Sequence, residues 1–334
     1  MAEANAFQWS GQPGHYEVYY LTFTDPVSGW GVWIRYTMLA PLAGVGEGAT
    51  CSVWLAAMHP EGHAEGQRVS MPIGRLSARS DPFALELGGA VLTDRGMRGS
   101  LGEASWDLRW EPRGKGYRHV HPMLARARVA KTVLVLPHPD LRIDGRVSFG
   151  GRELELRGVP GGQAHLWGSK HASRWSWAHC NDFTGEDGSP RAGSFIDGVS
   201  VFVPRLGREV GPSTPVVGRL LGDDFCSTSP VRVLANTSRF GLTGWHFEAR
   251  AGSRRVRGDV DARRSTLVGV TYHDPDGERA YCYNSEVATM RVRVWDRVRR
   301  GPAWTLRDEL VALDRAHFEY AQREPLETMP LHVP

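Results

Sequence analysis

An all-β fold, laid out as a meander of short antiparallel strands in two domains, is what this chain predicts on three observations. Gly supplies 39 of the 334 residues and is spread through the chain rather than gathered in one tract, against a typical share of about 7%. The chain carries 12 Trp. Short runs rich in aromatic and β-branched residues recur between turn residues, the pattern of strands joined by tight turns. The length suits two domains of roughly 150 residues each.

The elements follow in order. His15 to Thr24 is aromatic and β-branched, and Asp25-Pro26-Val27-Ser28-Gly29 supplies turn chemistry, Pro fixing φ and Gly admitting positive φ. Gly31 to Met38 then alternates, with Val32, Ile34, Tyr36 and Met38 on one side and Trp33, Arg35 and Thr37 on the other, completing a hairpin. Gly44-Val45-Gly46-Glu47-Gly48 follows Pro41 and reads as a hairpin loop, lacking the register of a phosphate-binding loop. Cys51–Met58, Ser105–Trp110, Arg118–Val120, Lys131–Leu136 and Arg142–Phe149 are further strands. Breaks near Phe149-Gly150-Gly151 and Val159-Pro160-Gly161-Gly162 place the division into domains 1–155 and 156–334. The second half repeats the rhythm at His165–Trp167, Arg174–Cys180, Gly198–Val203, Trp245–Ala249, Ser265–Tyr272, Ala280–Tyr283 and Ala288–Trp295. Asp274-Pro275-Asp276-Gly277 matches the turn at Asp25. One helix is expected, over Leu306–Ala316 with Thr305 as N-cap, before a last strand.

The bulk numbers exclude several classes. The formal net charge is +3 and no basic block or finger spacing points to nucleic acid. The run Arg297-Val298-Arg299-Arg300, after Arg291 and Arg293, reads as a solvated strand edge. No stretch approaches ~18 consecutive apolar residues, and Met1 to Gly14 lacks the pattern of a signal peptide. A cytoplasmic location is the resulting expectation. Cys51, Cys180, Cys226 and Cys282 are far apart, so neither disulfides nor structural zinc is expected. His119-Val120-His121 could put two imidazoles on one strand face, but no third ligand stands at a recognisable spacing and no metal is expected. The nucleophile elbow of α/β-hydrolases is missing.

Chemistry concentrates in Gln163–Phe183, which holds Trp167, Trp175 and Trp177 with His165, His171 and His179. On a strand, Trp175, Trp177, His179 and Asn181 share one face, while Arg174, Ser176, Cys180 and Asp182 share the other. The first face offers two large π surfaces, an imidazole and an amide, suited to an apolar ligand and a proton delivered into it. The alternative is that the tryptophans are core and His179 a satisfied core histidine. Tyr281–Glu286 is either an ordinary hairpin strand or a second pocket wall.

The run Trp175-Ser176-Trp177-Ala178-His179-Cys180-Asn181-Asp182-Phe183 resembles the W-x-W-x-x-C-N-x-F stretch of tocopherol cyclase. More broadly it resembles the central motif of the superfamily of carotenoid hydratases, AttH-like proteins and lipocalin-like Diels–Alderases. The Asp25–Tyr36 hairpin and the Asp274–Gly277 and Asn284-Ser285 segments look similar to blocks of the same group. The resemblance implies two lipocalin-like β-barrel or sandwich domains with an apolar pocket in or between them. It also implies cofactor-free protonation of an isoprenoid or polyene alkene, in a cyclase, hydratase or isomerase. Carotenoid hydratases carry an Asp-His-Asn type motif here. In this chain the order is His179-Cys180-Asn181-Asp182, and on a regular strand Asp182 points away from His179.

On this reading His179 or Asp182 is the proton donor and Asn181 the orienting group. Trp167, Trp175, Trp177, His165, Tyr283, Asn284, Trp33 and Tyr36 line the substrate pocket. The partner is a small hydrophobic substrate or lipid, with peripheral membrane association as a route of access. Two other classes stay open: a lipid or isoprenoid carrier without chemistry, and a carbohydrate-binding β-sandwich whose Trp platforms stack on sugars. The first calls for a pocket without an acid. The second calls for a shallow exposed groove.

Overall fold

The computed structural model describes residues 2–46, 48–120, 130–205, 207–298 and 303–334. Two large sheets hold about two thirds of them. The first has twelve strands. At its centre lie Thr50–His59, Gly31–Ala40, His15–Thr24, Arg152–Gly168 and Thr132–Phe149, in that spatial order. The second has thirteen strands, with Phe195–Arg205, Arg174–Cys180, Trp304–Gln322 and Arg279–Arg297 adjacent at its centre. These neighbours run antiparallel, whereas Leu331–Val333 pairs in parallel with Val268–His273. Among the described residues no helix is long and apolar enough to cross a membrane.

Local chemistry explains the first hairpin. Asp25 accepts the backbone N–H groups of Val27 at 3.2 Å and Ser28 at 3.0 Å, and the Ser28 hydroxyl at 2.6 Å. Gly29, at φ 78°, closes the turn, where a Cβ would be strained. Gly31–Ala40 then lies against His15–Thr24 in unbroken register.

Each sheet curls around an apolar core of its own. Leu55, Tyr36, Trp106 and Phe149 belong to the first, and Trp245, Phe247, Met290 and Phe318 to the second. A third apolar layer, including Tyr20, Trp33, Trp54, Trp175, Trp177 and Tyr272, lies between the sheets. The central strands therefore bury both faces, and period-2 alternation decides which side chains meet a core and which meet the other sheet.

Three expectations differ from what is found. The first sheet runs to Gly168 and the second starts at Arg174, so the changeover falls at 169–173. The expected 155/156 division lies within the unbroken strand Arg152–Gly168. Pro160-Gly161-Gly162 continues that strand because the partner strand carries register shifts on either side of the Arg142–Pro160 pair, between His138 and Leu141 and between Ile143 and Gly145, the irregular setting in which a sheet tolerates Pro. The helix expected over Leu306–Ala316 does not form. Trp304–Gln322 is a single strand paired with Arg279–Arg297. Leu310 and Ala312 face the second core opposite Val292 and Met290, and Asp314, at φ 55°, sits by a shift in register. Helix propensities separate residues by only about 0.7 kcal/mol, too little to outweigh a full ladder and a buried face. In the arginine-rich stretch, Arg293 pairs with Glu309 at 2.7 Å and Arg291 approaches it at 3.9 Å. Arg299 and Arg300 lie outside the described residues.

Where the sheets meet, Gly31 rests on Glu286. A Cβ at residue 31 would stand 2.6 Å from Glu286 Cβ and 2.8 Å from its carbonyl oxygen. Gly31→Ala should therefore cost about 1–3 kcal/mol in urea unfolding. Gly74→Ala, where a Cβ meets nothing within 4 Å, should stay within about 0.5 kcal/mol of the parent protein.

Candidate active site

Alternation along Arg174–Cys180 sends Ala178 and Cys180 into the second core and turns Trp175 and Trp177 toward the first sheet. Beside the two tryptophans the sheets part around a cavity of about 540 Å³, within the roughly 300–1,000 Å³ usual for small-molecule sites. The first sheet lines it with Val18, Tyr20, Arg35, Leu134 and Leu166, and the second with Trp175, Trp177, Val199, Val201, Tyr272 and Glu319.

Two groups of buried polar side chains face the cavity. His119 lines it, and its Nε2 lies 2.7 Å from Asp197 Oδ1. An ionised carboxylate can only accept, so Nε2 carries the proton in that bond. Asp197 also accepts the Trp177 indole N–H at 3.0 Å. His119 and Asp197 are only 2% and 1% exposed, yet His119 Nδ1 has no hydrogen-bond partner among the described residues. A second group forms around Arg35. Its guanidinium stacks on Trp33 at 4.2 Å and Tyr272 at 4.5 Å, and lies 3.6 Å from Glu319, while its Nε has no partner among the described residues. Glu319 also accepts the Trp175 indole N–H.

The Asp274-Pro275-Asp276-Gly277 turn fixes one wall. Asp274 accepts the His171 backbone N–H at 2.9 Å, His171 Nδ1 at 2.6 Å and Arg323 at 2.6 Å. Burial alone would raise the Asp274 carboxyl, but these partners hold it down at about 2. The His171 ring, locked in place, stacks on Trp175 and Tyr272 at 5.5 and 5.7 Å. Asp274, Asp276 and Glu278 converge on one spot, but Lys170, His171 and Arg323 already answer them.

Of the residues singled out from sequence, Trp175 and Trp177 line the cavity. Trp33 stands behind Arg35. Asn284 faces the inter-sheet layer opposite Glu319 but outside the cavity lining. His179 lies deeper, with Nε2 at 2.8 Å from the Pro139 carbonyl and Nδ1 at 3.0 Å from His317 Nδ1. Asn181 ties the sheets together, donating to the Gly161 carbonyl at 2.7 Å and to Asp140 at 3.1 Å. Asp182 points the other way and pairs with Arg315 at 2.9 Å. His165 and Trp167 sit on the opposite face of the first sheet, His165 at 2.9 Å from Glu17. Tyr36 and Tyr283 belong to the two barrel cores.

His119, Asp197, Arg35 and Glu319 were not singled out for this cavity. In the sequence His119 stands out only beside His121, which lies outside the described residues. Its partner Asp197 is 78 residues away, and no local spacing announces such a pair. Arg35 carried a usable signal, a lone charge between aromatic positions of a strand with two apolar faces.

A buried polar seam runs below the cavity. Glu286 accepts the Thr22 hydroxyl through Oε2, and its Oε1 has no partner among the described residues. His317 Nδ1 lies 3.9 Å from Oε2. Burial, reinforced by the charge of Glu319 and opposed by the Thr22 hydrogen bond, pushes the Glu286 carboxyl up to about 8. Burial holds both His179 and His317 below the usual imidazole value.

No family model matches the chain. An uncharacterized protein of Mycobacterium tuberculosis, Rv0493c in strain H37Rv and MT0513 in strain CDC 1551, is 26% identical over 297 residues, covering 87% of this chain and 84% of its own. Among solved structures, a Nitrosomonas europaea protein described as AttH (NE1406) superposes with TM-score 0.55 at 13% identity, covering 96% of this chain and 98% of its own. CghA gives 0.55 at 9% identity, with 95% and 94% covered. Kievitone hydratase from Nectria haematococca gives 0.51 at 8%, with 96% and 92% covered. The chain has the AttH-like lipocalin fold. The similarity spans both sheets, and at these identities it concerns architecture alone. It is the fold that the Trp175–Phe183 resemblance implies.

The seam makes stability depend on pH. A carboxyl raised from 4.5 to about 8 on folding keeps a proton that the unfolded chain has released. Its contribution is full below pH 4.5 and falls away as pH rises toward 8. The depressed histidines act in the opposite sense, but only below their unfolded value of 6.5. Between pH 6.5 and 8, Glu286 should therefore cost about 2 kcal/mol of unfolding free energy. Glu286→Gln should flatten that slope in urea unfolding at the two pH values. Equal slopes would show that Glu286 is ionised throughout.

Proposed function

We propose that the inter-sheet cavity is an active site for acid–base chemistry on an apolar, alkene-bearing substrate of isoprenoid or polyene type, in a hydratase, cyclase or isomerase. The observation that carries this reading is the His119–Asp197 pair. A buried carboxylate fixes the ring and its tautomer through Nε2, leaving Nδ1 to exchange a proton with whatever fills the cavity. The step starts from the imidazolium, protonated at both nitrogens: the π electrons of the alkene take the Nδ1 proton and form a C–H bond, which leaves a cation on the neighbouring carbon and a neutral ring that keeps its Nε2 proton. Water or an internal hydroxyl then adds and returns a proton to Nδ1; loss of an adjacent C–H proton instead completes an isomerisation. No cofactor enters this scheme.

The surroundings suit the cation. Tyr20, Trp175, Trp177 and Tyr272 line the cavity, and a desolvated cation over such faces gains about 2 kcal/mol each. Arg35, which would oppose it, is offset by Glu319. Trp175 and Trp177 are each 6% exposed and line a cavity between two sheets, whereas a sugar platform presents its aromatic faces in a shallow exposed groove. The proton-donor role moves from His179 and Asp182 to His119, with Asp197 as its positioning residue and Asn181 as a tie between sheets. Kievitone hydratase, a hydratase by name, shares the fold. The same reading puts the protein in the cytoplasm, where its free cysteines stay reduced.

Protein incubated in D2O with a cellular lipid extract should yield species carrying new carbon-bound deuterium or added water, detected by mass spectrometry. His119→Ala should lower that yield about 10²–10⁴-fold, and Asp182→Asn should leave it unchanged. Equal yields from wild type and His119→Ala would remove His119 from the chemistry. A lipid held tightly and returned unaltered by both would make the cavity a carrier's.

A further inference from the structure

The cavity has a chemical gradient from its walls to its mouth. The inner walls include the aliphatic side chains of Val18, Leu134, Leu166, Val199 and Val201, beside the aromatic rings and the paired Arg35 and Glu319. At the mouth, Lys131 and Arg205 line the cavity and are exposed. The strand Phe195–Arg205 pairs with Arg208–Ser213, and directly opposed residues of such a pair share a face. Arg208 stands opposite Arg205, and Val210 opposite Val203. One face of this hairpin end thus carries two Val and two Arg. Its acidic residue, Glu209, stands opposite Pro204 on the alternate face and is taken by Arg174 at 3.2 Å. Among the described residues no carboxylate pairs with Lys131, Arg205 or Arg208. Lys170, which also lines the cavity, differs in being met by Asp276 at 2.6 Å and Glu278 at 2.7 Å.

We infer that the substrate is an amphiphilic anion, an apolar chain seated against the inner walls with a carboxylate or phosphate head held at the mouth by Lys131 and Arg205. This rests on the cavity being the substrate site, and it adds the substrate's class and its orientation. Charge fixes the orientation. The inner cation, Arg35, already faces Glu319, so a head driven inward would meet a second carboxylate, whereas the mouth offers cations without one. Val203 and Val210, each close to half exposed, flank the point where chain gives way to head.

Calorimetric titration with oleate, oleoyl lysophosphatidate and methyl oleate tests this without any need for turnover. At least one anionic ligand should bind about fivefold or more tighter than the neutral ester, the scale of two partly exposed charge pairs, and the preference should shrink in about 0.5 M salt. Which anion wins distinguishes a carboxylate head from a phosphate. Lys131→Gln/Arg205→Gln, both at exposed positions, should bring the anions down to the ester's affinity. His119→Ala should leave the preference intact, so a failure of the proposed chemistry would not register here. Equal binding of all three ligands, or a preference that survives the double substitution, would overturn the inference.

Discussion

Two-sided burial of the central strands is the constraint on which the rest of the structure depends. His15–Thr24 and Arg174–Cys180 each press one face into a curled core and the other against the opposite sheet. A strand in that position cannot leave a polar group to water. Each polar side chain between the sheets must find a partner across the gap, at a cost of about 1–3 kcal/mol where it does not. This explains why the inter-sheet layer is aromatic where it is packed and hydrogen-bonded where it is not.

The same constraint separates scaffold from site. Glu17 accepts His165 and the Tyr19 hydroxyl at 2.9 Å, the Gln8 and Trp9 backbone N–H groups at 2.9 and 3.0 Å, and His15 at 3.2 Å. Burial would raise its carboxyl, yet these bonds hold it at about 2. Such a group is complete and serves to fasten the N-terminal segment. Asn181 and His179 are complete in the same sense. His119 and Arg35 are not. Each is buried, lines the cavity and keeps a nitrogen without a partner among the described residues.

Much of this was legible in the chain because alternation is local. The two-faced reading of Gly31–Met38 and of Trp175–His179 needed only neighbouring residues, and the turns at Asp25 and Asp274 announced themselves by composition. What could not be read depends on distance. His119 sits at the end of a two-residue strand, Tyr117–Arg118, and acquires meaning only when Phe195–Arg205 carries Asp197 to it. The segment 306–316 looks helical alone and becomes strand because Arg279–Arg297 lies beside it. His179 looked like the acid because it shares a face with two tryptophans. The face is shared, but it extends past the cavity, and His179 lies on the part that packs against Pro139.

The central claim is that chemistry takes place in the space between the sheets, and filling that space tests it most directly. Val201 lines the cavity opposite Trp175 in the strand register and is only partly buried, so a larger side chain there can occupy the void without entering either core. Turnover by Val201→Trp, measured alongside its thermal unfolding, should fall to background while the protein stays folded. Undiminished turnover in a folded Val201→Trp protein would place the reaction elsewhere.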